Sequence, residues 1–76
     1  MNDPKEIAKG SGWSVYRLGR SFCVRVDRDG DGDPVEVWLP RQPSDVTRGS
    51  LLAALVAGTY GKVCSATATE AMNANW

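Results

Sequence analysis

Two short runs of β-type residues, Trp13 to Leu18 and Ser21 to Asp27, meet at Gly19-Arg20, and that junction constrains the fold more than anything else in the chain. A two-residue loop with glycine first suits a type II′ hairpin, whose twist matches that of the flanking strands. It pairs Val15 with Val24 and Trp13 with Val26. A third run, Val35 to Leu39, follows a glycine- and aspartate-rich turn; with its tip at Gly30-Asp31, Val26 meets Val35, Val24 meets Val37 and Phe22 meets Leu39. Both turns therefore place the same residues on one apolar face: Trp13, Val15, Phe22, Val24, Val26, Val35, Val37 and Leu39. A one-residue slip in either hairpin would send that set to the other side, so agreement between the turns fixes the register.

The opposite face then carries Tyr16, Leu18, Cys23, Arg25, Glu36 and Trp38, with Arg25 and Glu36 as an opposite-charge cross-strand pair. An apolar sheet face needs a cover. Leu51, Leu52, Leu55, Val56 and Tyr60 recur at helical spacing, with Ser44, Thr47 or Ser50 available as the N-cap and Gly58 and Gly61 as terminators. Thr67 with Glu70 reads as a capping box for a short C-terminal helix bearing Met72 and Trp76. Residues 60–65 fit a fourth edge strand or a loop equally well. Residues 1–12, polar and punctuated by proline and glycine, read as a loosely ordered arm. The expected architecture is a single α+β domain over 1–76: a small antiparallel three-stranded β-meander packed against one helix, with a short C-terminal helix.

At 76 residues the chain can build one core and little else. The sequence has no histidine, which removes the side chain most used for acid/base work near neutral pH and the commonest transition-metal ligand. Cys23, Cys64 and the hydroxyls have no base at a spacing that would activate them, so the expectation is a non-enzymatic protein without a cofactor. Lys plus Arg and Asp plus Glu both number 9, so no global charge steers the chain to nucleic acid or membrane. No stretch is long and apolar enough to span a bilayer, and Met1 to Gly12 lacks the apolar centre of a signal peptide, which leads to the expectation of a soluble cytoplasmic protein with both thiols free and mostly buried.

Two segments offer chemistry. Asp27, Asp29, Asp31 and Asp33 alternate with other residues in the manner of a calcium loop, but Trp38 stands where the closing bidentate Glu belongs. The aspartates read better as a solvated hairpin tip, with a calcium-responsive module as an incomplete alternative. The outer face is the stronger candidate, because Tyr, Trp and Arg bring large contact area with a polar handle. Tyr16, Leu18, Arg25, Glu36 and Trp38 are the expected partner-binding residues. An aromatic and arginine sheet face can also stack single-stranded nucleic acid, the other alternative. Against it, the acidic residues Asp27, Asp29, Asp31, Asp33, Glu36 and Asp45 interleave with Arg17, Arg20, Arg25, Arg28, Arg41 and Arg48.

The strands Phe22 to Asp27 and Val35 to Leu39 and the alanine-rich helix around Leu51 to Ala57 give the chain a format that resembles the small phage-encoded inhibitors of bacterial defence, the anti-CRISPR proteins. That resemblance implies a stoichiometric inhibitor or accessory protein, acting in the cytoplasm of a bacterial host by occluding a surface of a larger protein or nucleoprotein complex. It carries over no functional residue.

Overall fold

The computed structural model describes residues 3–76. The sheet is antiparallel and four-stranded, in the order β1 (Lys5–Gly10), β2 (Trp13–Leu18), β3 (Ser21–Val26), β4 (Val35–Leu39), followed by helices α1 (Asp45–Val56) and α2 (Ser65–Asn73). The meander pairs in the register the turns demand: Val15 faces Val24, Trp13 faces Val26, and Val26, Val24 and Phe22 face Val35, Val37 and Leu39. Gly19 has φ +64° and among the described residues no non-glycine residue has positive φ, so Arg20 completes a type II′ turn. All eight inward residues reach the apolar core, Leu39 from its margin.

The first correction concerns the expected arm. Its residues Met1 and Asn2 lie outside the described residues, but Lys5–Gly10 form an edge strand paired with β2. A bulge between Glu6 and Ala8 shifts the register, which lets both Ile7 and Ala8 pack against the core from consecutive positions. The fourth strand thus comes from the N-terminal segment. Within residues 60–65 the only bridging is isolated, from Val63 to Arg28, supported by the Asp29 amide donating to the Lys62 carbonyl at 3.0 Å.

The second correction concerns the lid. The helix lying against β1, β2 and β3 is α2, and α1 packs on α2. Ala68 and Ala71 are fully buried with Met72, and their small side chains let the α2 backbone approach the sheet closely. The Trp13 indole donates to Glu70 Oε1 at 3.0 Å, tying β2 to α2, while Trp76 packs its ring on Phe22 at 6.1 Å between centroids. Met72 and Trp76 therefore belong to the inner core. From α1 only Leu51 and Leu55 are buried; Val56 and Tyr60, expected on the same stripe, are exposed.

Local chemistry explains where the helices begin and end. Ser44 caps α1, its hydroxyl accepting from the Thr47 amide at 3.3 Å, and Asp45 adds negative charge at the positive end of the helix dipole. Gly58, at φ +80°, turns the chain out of the helix: its amide donates to the Leu55 carbonyl and the Thr59 amide to the Ala54 carbonyl, a Schellman motif. That motif stops α1 at Val56 and strands Tyr60 beyond the stripe. For α2, the expected capping box is displaced. Cys64 is the N-cap, Thr67 lies inside the first turn, and Glu70 is engaged by Trp13.

The far end of α2 is closed by a residue that turn and periodicity arguments pass over. Arg48 donates through Nη1 to the carbonyls of Met72 (3.1 Å) and Ala74 (2.8 Å) and through Nη2 to that of Trp76, and its guanidinium lies 4.2 Å over the Trp76 ring. The Trp76 indole donates to the Ala71 carbonyl at 2.8 Å. Carbonyls near the end of α2 thus find partners in side chains, and the cation sits at the negative end of the dipole.

Candidate interaction face

With both helices on the inner side, the outer sheet face has no helix over it. Cross-strand pairing sets Tyr16 opposite Cys23 and Cys23 opposite Trp38, and in the next row Ser14 opposite Arg25 and Arg25 opposite Glu36. The expected outer residues Tyr16, Leu18, Arg25, Glu36 and Trp38 all lie on this side, because strand alternation leaves them no other. Tyr16, Leu18 and Arg25 are half-buried, while Glu36 is exposed. Trp38 is 49% exposed.

A chain of polar contacts holds the aromatic groups in place. The Arg25 guanidinium lies 5.1 Å from the Tyr16 ring centroid and donates to Glu36 Oε2 at 2.8 Å, while the Trp38 indole donates to Glu36 Oε1 at 3.0 Å. One carboxylate therefore spans the cation and the indole. These donors hold the Glu36 carboxyl below the ordinary carboxylate range, the Arg25 bond contributing most and the Trp38 bond next. Leu18, placed at the turn end of β2, takes no part in this chain of contacts.

Cys23 lies at the bottom of this face and is only 2% exposed, closed over by its neighbours. Burial pushes its thiol up to about 11, with the nearby Glu36 charge adding to the effect, so it stays protonated and inert at neutral pH. Pro4, Tyr16, Cys23, Arg25 and Trp38 line a furrow of about 240 Å³. Pro4 belongs here because β1 pairs Glu6 with Tyr16 and thereby carries the residue two before it to the same face. A segment read as a loose arm could not have been placed there from the sequence.

The other candidate separates. Among the described residues no group of three or more His, Cys, Asp or Glu side chains is arranged to hold a metal ion, so Asp27, Asp29, Asp31 and Asp33 do not converge. The segment is organised instead by Arg28, whose Nε donates to the Asp33 carbonyl at 2.7 Å. Cys64, expected among the buried thiols, is exposed; its side chain makes no capping hydrogen bond at the start of α2, and the nearby Thr67 amide and hydroxyl, then the Ala66 amide, lower its pKa. Cys23 and Cys64 are both free. No helix among the described residues is long and apolar enough to cross a membrane.

Fold and face together define a small α+β domain whose four-stranded meander is lidded on one side and presents a braced aromatic furrow on the other. Comparison with protein-family models, with curated proteins and with solved structures returns no match.

Proposed function

We propose that this protein is a non-catalytic binding module whose outer sheet face docks on a larger protein or nucleoprotein complex. The observation that carries the reading is the state of Trp38: a large aromatic half in water, with its indole N–H fixed by Glu36. A Trp left in solvent gains nothing for the fold by its exposed half, yet a fixed ring loses little entropy when a partner covers it. Around it stand Tyr16 and Arg25, the other residue types that dominate binding hot spots. An occluding, stoichiometric role, whether as inhibitor or accessory protein, is what such a face supports. The anti-CRISPR-like format points the same way, toward a bacterial complex encountered in the cytoplasm. Direct nucleic-acid binding is less well supported, because Arg25 is neutralised by Glu36 on this same face.

The test is capture from bacterial lysate by the tagged full chain, wild type against Trp38→Ala, with and without nuclease. Capture that survives nuclease and about 0.5 M salt and drops at least about thirtyfold in affinity on Trp38→Ala supports the reading. Capture indifferent to Trp38, or direct binding of free nucleic acid with steep salt dependence, overturns it.

A further inference from the structure

We infer that β4 is a self-association edge, along which two copies of this chain pair antiparallel through Glu36 and Trp38 and join their four-stranded sheets into one. β4 ends the sheet order, so one side of it has no neighbouring strand. Which main-chain groups face that side follows from the pairing. The turn at Gly19-Arg20 closes with a bond between Leu18 and Ser21, and along an antiparallel pair hydrogen-bonded and non-hydrogen-bonded positions alternate. Tyr16 with Cys23 and Ser14 with Arg25 are therefore bonded pairs, and the Asp27 amide donating to the Gly12 carbonyl at 2.8 Å continues the series. Phe22, Val24 and Val26 then turn their main chain to β4, where Leu39, Val37 and Val35 receive it. The amides and carbonyls of Glu36 and Trp38 are left pointing away from the sheet. Among the described residues no turn, loop or cap supplies a main-chain hydrogen bond to them. The other edge is defended: β1 follows Pro4, carries Lys5 and Lys9 and is broken by a bulge, whereas β4 is regular throughout.

A second copy is the occupant because this edge is complementary to itself. With a two-fold axis at Val37, Glu36 stands opposite Trp38 of the second copy and Trp38 opposite its Glu36, so both outward amides and both outward carbonyls of each chain find partners within the strands. On the outer face each carboxylate meets the other copy's indole. On the inner face Val37 meets Val37, and Leu39, only half-buried in the single chain, meets Val35. Sliding the copies by two residues one way sets Glu36 directly against Glu36, like charge on like charge; sliding the other way carries the ladder beyond Leu39 onto Pro40. Pro34 and Pro40 bracket the strand and have no N–H, which confines the ladder to this length. α2 lies over β1, β2 and β3, and neither helix backbone closes on β4, so the approach to this edge is open from the inner side as well. The axis runs perpendicular to the sheet, so both outer faces stay on one side, with the two Trp38 side chains diagonal across it and within reach of each other.

Sedimentation equilibrium of the full chain over about 1 µM to 1 mM should show a reversible monomer–dimer step, weak because a five-residue edge is a small interface. Glu36→Pro deletes an outward N–H at a position where an edge strand tolerates proline, and weakens that step at least about tenfold; Glu36→Gln keeps the N–H and changes it less than about threefold. Circular dichroism melts separate a lost edge from a lost fold. Register is read by cross-linking in a Cys64→Ser background, with diamide as oxidant. Copies of Val37→Cys face each other in a non-hydrogen-bonded pair, about 4.5 Å between Cα atoms and within the span of a disulfide, and give a covalent dimer. Copies of Glu36→Cys stand diagonally, about 7–8 Å apart, and give none. The cross-linking arm decides the matter even where the proline variant does not fold. A chain that stays monomeric at about 1 mM, self-association unchanged in a folded Glu36→Pro variant, or a covalent dimer from Glu36→Cys and none from Val37→Cys overturns the inference. Self-association depends on the Glu36 N–H and capture from lysate on the Trp38 side chain, so this inference and the docking face fail separately.

Discussion

Replacing Arg48 by Ala is the perturbation that tests the packing most sharply. One guanidinium donates to the Met72, Ala74 and Trp76 carbonyls and stacks over the Trp76 ring, so a single truncation releases the end of α2 and the chain that follows it. A hydrogen bond to a charged group contributes about 1.5–3 kcal/mol net, and a cation over an aromatic face about 0.5–2 kcal/mol. These contacts share one half-buried side chain and do not add, so a joint loss of about 2–4 kcal/mol is expected. For 76 residues the whole stability is about 4–11 kcal/mol, and in a domain of this size each kcal/mol moves Tm by about 4–8 °C. Arg48→Ala should therefore lower Tm by roughly 10–30 °C in circular dichroism melts, with a matching fall in denaturant midpoint. Arg48→Lys keeps the charge but not the planar fork, and should recover less than half of the loss. A drop under about 3 °C for the Ala variant, or full recovery by Lys, would refute the assignment of Arg48 as the closure of α2.

The two thiols should differ in reactivity under native conditions: iodoacetamide labels Cys64, with a rate that rises through a midpoint below that of an ordinary thiol, and leaves Cys23 untouched until the chain is denatured, as peptide mapping by mass spectrometry will show. Glu36 has a depressed pKa in the folded state, so its brace is fully present above the ordinary carboxylate range and is lost as pH falls through the depressed value; the Trp38 indole resonance should move with an apparent pKa below that of an ordinary glutamate. Glu36→Gln should abolish that titration. Millimolar calcium should leave Tm unchanged, since the aspartates from Asp27 to Asp33 do not converge; a clear rise on titration would contradict that geometry.

What the sequence made legible follows the strength of local chemistry. The registers of β2, β3 and β4 could be derived residue by residue, because Gly19 and the Asp-Gly turn set pairings that the alternating valines independently confirm. The same alternation placed Tyr16, Arg25, Glu36 and Trp38 on one face. β1 was illegible for the converse reason: Ile7 is the one β-branched residue in Lys5–Gly10, and the bulge there breaks the period of two that marks a strand. The role of α2 was hidden by its alanines, which look inert in a pattern yet permit the closest approach to the sheet. Arg48 and Pro4 were missed because their partners lie a dozen or more residues away along the chain; no spacing rule connects Arg48 to Met72, or Pro4 to Tyr16.

The order of elements along the chain has a consequence for synthesis. Every strand precedes the helix that covers the sheet, and Ala68, Ala71, Met72 and Trp76 come after all the valines they shield. A nascent or prematurely ended chain lacking 65–76 would be a meander with a bare apolar face, the kind of surface that aggregates or draws chaperones and proteases. The domain escapes that fate only when 65–76 dock on the sheet. The cell's quality control would then clear fragments that already carry the complete Tyr16–Trp38 furrow but lack its cover on the other side.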